Sequence, residues 1–225
     1  MSGTARLLVA MSLAFGLSYP LLWDHLPTAA VAIAVKCAGV GLLAIAATLQ
    51  ARSPDGWLLA AVLAFGAAGD ALLEIALAAG AAAFAAGHVV AIVLYRRNRR
   101  AGADQRDWGF AAVLLLAAAA VPAILLQGRP EAGPFIAYAL LLGAMAASAW
   151  LSRFPRELVA AGAIMFLLSD MLIALRMAGD ASWLGLPIWL LYYLGQLMIF
   201  LGVRASLPPR EPSSRRGGPP KVVEG

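Results

Sequence analysis

The sequence predicts an all-α, polytopic membrane protein with eight transmembrane helices. Three observations predict this class. The chain of 225 residues is 62% hydrophobic and only 13% charged, whereas about a quarter of the residues in a soluble domain are charged. Its apolar residues are gathered into runs of about 20, the length that a helix needs to cross the hydrocarbon of a bilayer. Its basic residues alternate between the connections in a way that fits an even number of crossings.

The spans follow one another with short polar connections. Lipid offers no partners to backbone N–H and C=O groups, so each run is expected to be a helix. The predicted spans are 5–22, 29–49, 57–77, 79–95, 108–126, 133–151, 157–177 and 183–203. The connections read LWDHLPT, RSPDGW, RRNRRAGADQRDW, QGRPEAG, SRFPRE and AGDASW, and Gly80 is the predicted turn between the nearly fused third and fourth spans.

The domain organisation follows from the same pattern. Residues 1–204 are predicted to form one transmembrane domain, and the Pro-, Gly- and Ser-rich residues 205–225 a disordered cytoplasmic tail. No cleavable signal peptide is expected, because Arg6 precedes an apolar run that is too long for one. The single cysteine, Cys37, excludes a disulfide within the chain.

The distribution of Lys and Arg predicts the orientation. Of the 17 basic residues, fourteen fall at the N-terminus, in the connections after spans two, four and six, or in the C-terminal tail. Only Arg129 and Arg176 fall on the other side, and Lys36 lies inside a span. Because cytoplasmic loops carry the excess of basic residues, both termini are predicted to be cytoplasmic in a cell-membrane protein. The runs RRNRR and SSRR are then signals of topology and contacts for anionic lipids, and no nucleic-acid partner is expected.

Polar side chains recur at one depth of this arrangement. With a rise of 1.5 Å per residue, five spans bring them to a layer roughly 10–15 Å below the outer face. The residues in this layer are Lys36, Asp70, His88, Asp170 and Tyr193, with Glu74 one turn nearer the surface and Gln196 about one turn deeper. Charged groups inside a membrane are costly and face the bundle interior. Spans one, five and six carry no comparable charges and are predicted to be scaffold.

Two interpretations of this layer compete. Polar residues can simply join helices through hydrogen bonds, and Gln196, Tyr193 or His88 alone would fit that role. The three acids of the layer exceed its one lysine, so at least one carboxyl group is expected to be neutral or solvated. Clusters of this kind are typical of catalytic sites and also of ion-coupled transporters.

A weak internal repeat accompanies the layer. F-x4-D-A-L-L in span three matches F-x3-D-M-L-I in span seven, and GHVVAIVL and GQLMIFLG follow them. His88 and Gln196 therefore correspond. Four spans separate the copies, so helices 1–4 and 5–8 would form parallel repeats with a site between them.

Several chemistries lack their usual residues. The chain has two histidines, and His25 lies in an outer connection, whereas zinc hydrolases usually need three protein ligands. There is no Gly-x-Ser-x-Gly elbow for a serine nucleophile and no phosphate-binding loop. Ser169 points about 100° away from Asp170 on a helix. Acid–base chemistry by carboxyl groups and one histidine remains, without a metal or other cofactor.

At this point the sequence resembles the YhhN-like lysoplasmalogenases, a family of multi-pass membrane proteins. The motifs that carry the resemblance are VKCAG around Lys36, GDALLE at 69–74, GHVVAIVLY at 87–95, FLLSDMLIAL at 166–175 and LYYLGQLMIF at 191–200. Their order and spacing cover most of the chain. One departure is Cys37, where the family usually has proline after the lysine.

The resemblance implies hydrolysis of the vinyl ether bond of lysoplasmalogens to a fatty aldehyde and a glycerophospho-base. Such a reaction needs one protonated carboxyl group and one carboxylate, for which Asp70 and Asp170 are the candidates with their roles left open. His88 would orient water or relay protons, and Glu74 would tune Asp70 or line the entrance. The candidate residues for binding the lysophospholipid are Lys36, Ser169, Tyr193 and Gln196.

Three other functions remain open. An intramembrane aspartyl protease also uses two transmembrane aspartates, but the Gly-x-Gly-Asp and Tyr-Asp contexts are absent here. A proton-coupled transporter fits the parallel repeat and the buried acids, and predicts a polar path through the whole bundle. A lipid-binding or structural protein predicts that replacing Asp70 and Asp170 by Asn leaves every measurable activity intact.

Overall fold

The fold is a bundle of eight long helices. The computed structural model describes residues 2–179 and 181–207. The helices are α1 Gly3–Leu22, α2 Ala29–Gln50, α3 Pro54–Leu73, α4 Leu77–Arg97, α5 Gln105–Leu125, α6 Ala132–Trp150, α7 Ala161–Ala178 and α8 Gly185–Ala205. A π-helical turn, Arg156–Ala160, leads into α7, and a 3₁₀ turn, Ser182–Leu184, leads into α8.

The predicted fold class is confirmed. All eight helices are long and apolar enough to cross a membrane, and no strand occurs in the described ranges, where Arg99 and Ser152 form one isolated bridge. Several helices begin where a short polar side chain can accept a hydrogen bond from the free N–H groups of the first turn. Ser2, Thr28, Ser53 and Asp104 cap α1, α2, α3 and α5 in this way. Most of the predicted tail, residues 208–225, lies outside the described residues.

The prediction that Gly80 forms the turn between the third and fourth spans is wrong. The turn is made by Glu74, Ile75 and Ala76, and the Gly80 amide already donates to the Ala76 carbonyl at 3.1 Å inside α4. The apolar Ile75 and Ala76 extend the hydropathy signal through the turn, which hides it from the sequence. Gly80 is needed for another reason, since a Cβ there would lie 2.5 Å from Leu73.

Seven of the helices form a closed ring. Its order is α1, α2, α3, α4, α6, α7 and α8, and each contacts the next, with α8 returning to α1. Helix α8 also contacts α2 and α3, so within the ring it is displaced towards the interior. Helix α5 contacts α6 and α7 alone among the described helices and therefore lies outside the ring.

The connections at the end predicted to be cytoplasmic are tied together. The buried Asn98 side chain donates to Asp55 at 2.9 Å and accepts from Arg153 at 2.8 Å. Arg156 pairs with Asp107 and lies over the Trp150 ring. Arg153 and Arg156, which were counted as signals of orientation, therefore also hold the α4–α5 and α6–α7 connections against each other.

Candidate active site

A large cavity lies inside the ring, at the end where α1, α3 and α7 finish. It has a volume of about 1000 Å³, the upper part of the range for small-molecule sites. All seven ring helices supply residues to its walls, and α2 contributes Lys36. The polar and charged lining residues are Tyr19, Lys36, Asp70, Glu74, Glu131, Tyr138, Ser169, Asp170, Arg176 and Tyr192. The remainder of the lining is predominantly apolar, as in a site for a lipid chain.

Asp70 is held by a tyrosine of α8. It lies near the end of α3 and is 2% exposed. Its Oδ2 accepts a hydrogen bond of 2.8 Å from the hydroxyl of Tyr192. The preceding Gly69 allows the Phe84 ring to pack directly on the α3 backbone, because a Cβ there would lie 2.6 Å from that ring. The Gly69-Asp70 pair thus combines close helix packing with a buried carboxyl group.

Asp170 lies across the cavity on α7. It is 6% exposed, and the Tyr138 hydroxyl of α6 lies near its carboxyl group. That hydroxyl is also 3.1 Å from Nε2 of His88. Ser169 lines the cavity, but its hydroxyl donates to the Ile188 carbonyl at 2.9 Å. Each carboxyl group therefore has a tyrosine partner from another helix.

An ion pair lies one turn above Asp70. Nζ of Lys36 is 2.6 Å from Oε1 of Glu74, and both residues line the cavity. Glu74 is the C-cap of α3 and is partly exposed. Lys36, a candidate for binding the lysophospholipid, thus pairs with an acid of α3. Arg176, near the end of α7, also lines this outer part of the cavity.

Three predicted site residues lie outside this cavity. His88 and Gln196 line a second, much smaller cavity that also includes Tyr95. The hydroxyl of Tyr193 is 3.0 Å from that of Ser12, and its ring fills the space left by Gly16. Successive residues of a helix point about 100° apart, so Tyr192 lines the large cavity and Tyr193 does not. The contact of Tyr193 with a ligand stays a prediction.

Sequence reasoning missed both tyrosine partners. Tyr138 and Tyr192 lie in apolar spans, where a neutral aromatic residue looks like ordinary packing. Spans one and six, predicted to be scaffold, supply Tyr19 and Tyr138 to the cavity, while no residue of α5 lines it. The LYY motif did signal a polar position in span eight, and only the rotation of the helix decides which tyrosine faces the acids.

The carboxyl groups of this site could carry out acid–base catalysis in predominantly apolar surroundings. Two carboxyl groups, each with a phenol neighbour, face one apolar cavity. In such surroundings a carboxyl group can be kept as a proton donor, and a second can act as a base. No group of three or more His, Cys, Asp or Glu side chains that could hold a metal ion occurs in residues 2–179 and 181–207.

Comparison with known proteins gives the family. The model of the YhhN family matches residues 31–203, which include every polar residue of the two cavities except Tyr19. The chain belongs to the YhhN family. No curated protein matched the chain, and no solved structure matched it.

Proposed function

We propose that the protein is an intramembrane hydrolase that cleaves the vinyl ether bond of lysoplasmalogens. One observation carries the proposal. Two buried carboxyl groups, on α3 and α7, share an apolar cavity with charged groups at its outer end. Membership of the YhhN family supports the proposal, because lysoplasmalogen hydrolysis is the activity that the resemblance implies.

The surroundings of the two carboxyl groups suggest different roles. Asp70 accepts a hydrogen bond from Tyr192 and lies near the Lys36 ammonium, and both neighbours favour a carboxylate. Asp170 is likewise buried and has Tyr138 beside it, but it has no cationic partner among the described residues, so its neutral form is the more favoured of the two. We therefore assign Asp170 as the general acid and Asp70 as the carboxylate that stabilises positive charge and activates water.

The reaction then runs in three steps. Asp170 transfers its proton to the β-carbon of the vinyl ether, and the double bond becomes an oxocarbenium ion that the Asp70 carboxylate stabilises. Water adds to the α-carbon while Asp70 accepts one of its protons, which gives a hemiacetal. In the last step Asp70 gives its proton to the glycerol oxygen, which leaves as an alcohol, while Asp170 takes the proton of the hemiacetal hydroxyl. The aldehyde forms, and both carboxyl groups return to their starting states.

The shape of the cavity suits a single-chain amphiphile. Its apolar walls include Leu73, Phe84, Phe135, Ile173 and Ile188, and its outer end carries Lys36 and Arg176. These cations are proposed to contact the lipid phosphate, and the apolar walls the chain. With a rise of 1.5 Å per residue, Arg176 lies about 9 Å along α7 from Asp170. Roughly six covalent bonds separate the vinyl ether carbon from the phosphorus, a comparable distance.

The proposed setting is the cell membrane with both termini in the cytoplasm. In that orientation the cavity opens near the outer face, and the substrate enters from the lipid that surrounds the bundle. The lysophospholipid and the membrane lipids are then the partners of the protein, and no cofactor takes part in the steps above.

Aldehyde release from a lysoplasmalogen by the detergent-purified protein tests the proposal. Asp70→Asn and Asp170→Asn should each lower the rate by at least about 100-fold, the lower end of what general acid–base catalysis contributes. Asp24→Asn is the matched control, because Asp24 is exposed in the α1–α2 connection. A chelator should have no effect. Absence of aldehyde from a well-folded wild-type protein would contradict the proposal, and proton-driven uptake into vesicles would then favour transport.

A further inference from the structure

The second cavity lies deeper in the bundle and has the size of a water molecule. Its volume is about 10 Å³, and a buried water needs roughly 10–15 Å³. Its walls come from α3, α4, α6, α7 and α8. No residue of the described connections lines it, so it belongs to the interior of the ring.

Two buried polar atoms at this cavity lack partners. The hydroxyl of Tyr95 and Oε1 of Gln196 make no hydrogen bond within residues 2–179 and 181–207. Both side chains are at least nine-tenths buried, and both residues line the cavity. Buried polar groups nearly always have a partner, which is often an ordered water. A phenol that can donate and an amide oxygen that can only accept are complementary to one water between them.

His88 separates this cavity from the large one. It lines the small cavity, and its Nε2 is 3.1 Å from the hydroxyl of Tyr138, which lines the large cavity beside Asp170. The rings of Phe166 and Tyr138 pack against the imidazole. With Nε2 paired to Tyr138, Nδ1 is the ring nitrogen that remains for another partner.

We propose that the small cavity binds a structural water molecule that fixes the tautomer of His88. The water accepts a hydrogen bond from Tyr95 and donates its two hydrogens to Oε1 of Gln196 and Nδ1 of His88. Nδ1 is then the acceptor of the imidazole, and Nε2 carries the hydrogen and donates it to the Tyr138 oxygen. Every hydrogen bond in this arrangement has one donor and one acceptor.

The consequence of this tautomer reaches Asp170. A phenol has one O–H hydrogen, so Tyr138 can donate it to Asp170 only if Nε2 of His88 does not accept it. With Nε2–H pointing at the phenol oxygen, Tyr138 donates to Asp170 and stabilises the carboxylate that forms when the acid gives up its proton. This consequence rests on the proposed function, whereas the water site and the tautomer do not. Tyr95, Gln196 and His88 are positioning residues in this scheme.

Nitrogen NMR on a single-histidine protein tests the proposal without an activity assay. The chain has two histidines, and His25 is exposed in the α1–α2 connection. A His25→Gln variant labelled with ¹⁵N-histidine therefore reports on His88 alone, in detergent or in lipid. The ¹⁵N shifts should show the Nε2–H tautomer. In Tyr95→Phe and Gln196→Leu backgrounds the Nδ1–H form should rise to a clearly detectable fraction.

Two outcomes would overturn the proposal. One is the Nδ1–H tautomer in the His25→Gln protein. The other is an identical set of ¹⁵N shifts in all three proteins, because the water would then have no influence on the imidazole. Tyr95→Phe removes a single oxygen and keeps the ring packed on Phe154, so it reports even if Gln196→Leu fails to fold. Aldehyde release measured on the same samples separates failure of this inference from failure of the proposed function.

Discussion

At the level of single residues, the two neighbouring tyrosines of α8 have different tasks. Tyr192 donates to Asp70 at 2.8 Å inside the large cavity. Tyr193 is bonded to Ser12 and packs on the backbone of α1 at Gly16. The chain therefore offers a matched pair, in which the same atom is removed from adjacent positions.

Tyr192→Phe is expected to lower aldehyde release by roughly 10- to 100-fold, because a hydrogen bond to a charged group contributes about 1.5–3 kcal/mol. Tyr193→Phe should keep the activity and lower the free energy of unfolding by about 1 kcal/mol, the contribution of an ordinary hydrogen bond. Rates and denaturation midpoints of both variants in one detergent provide the comparison. Equal losses of activity would argue against the role of Tyr192 at the site.

Arg176 gives a second prediction at this scale. It lines the outer end of the cavity and is exposed. Arg176→Gln should raise KM for the lysolipid about 2- to 5-fold and leave kcat unchanged, because an exposed charge pair contributes up to about 1 kcal/mol. Arg106→Gln, on exposed α5 surface outside the cavity, is the control. A fall in kcat with constant KM would contradict a role in binding the phosphate.

The residue scale also shows where sequence reasoning stops. Asp70, Asp170 and Lys36 were predictable, because a charge inside a membrane-length apolar run has few explanations. Tyr138 and Tyr192 were not, because a phenol is common in such runs for packing alone. Which tyrosine faces the acids depends on helix rotation. The eight helices are apolar all round, so their sequence periodicity says little about facing.

At the level of helices, α7 and α8 cross where two glycines meet. A Cβ on Gly195 would lie 2.7 Å from the Gly162 carbonyl oxygen, and a Cβ on Gly162 would lie 2.6 Å from that of Gly195. Backbone atoms cannot move aside as a flexible side chain can. This crossing sets the position of α8, and with it the position of Tyr192 relative to Asp70.

Gly195→Ala is therefore expected to destabilise the protein by about 1–3 kcal/mol, the usual cost of overpacking. Gly109→Ala in α5 is the control, because nothing lies within 4 Å of a Cβ there. The same exchange at that site should be neutral or stabilising by up to about 1 kcal/mol. Thermal denaturation in detergent measures both, and equal midpoints for the two variants would contradict close backbone contact at the crossing.

Most helix boundaries were predictable from the sequence, and one was not. Seven of the eight predicted spans needed only small adjustments, since hydropathy and capping residues act within one segment. The α3–α4 turn was displaced because Ile75 and Ala76 are apolar although they connect helices. Glu74 consequently sits at the end of α3, where its carboxylate can reach Lys36.

At the level of the whole molecule, the order of the ring could not be predicted. Hydropathy identifies spans and not neighbours, and the separation of α5 from the ring leaves no mark in its composition. The parallel repeat stays a prediction. In its favour, α4 contacts α6 as α8 contacts α2; against it, α8 contacts α1 whereas α5 makes no contact with α4 in the described ranges.

The orientation of the molecule is open to direct measurement. In a Cys37→Ser background, Asp24→Cys and Ala101→Cys place one thiol at each end of the bundle, both at exposed positions. A membrane-impermeant maleimide applied to spheroplasts should label Asp24→Cys and not Ala101→Cys, because the basic connections are predicted to be cytoplasmic. Labelling of both after permeabilisation is the control. The opposite pattern would place the cavity mouth at the cytoplasmic face.

The interior position of α8 has a consequence for biogenesis. The helix that contacts α1, α2, α3 and α7 leaves the ribosome after all four of them. Until it inserts, Asp70 lacks its hydrogen bond from Tyr192, and the ring of helices is incomplete. A nascent chain that stops before residue 185 would therefore hold Asp70 and Asp170 in an incomplete ring. The site therefore forms only once α8 has inserted among the other helices.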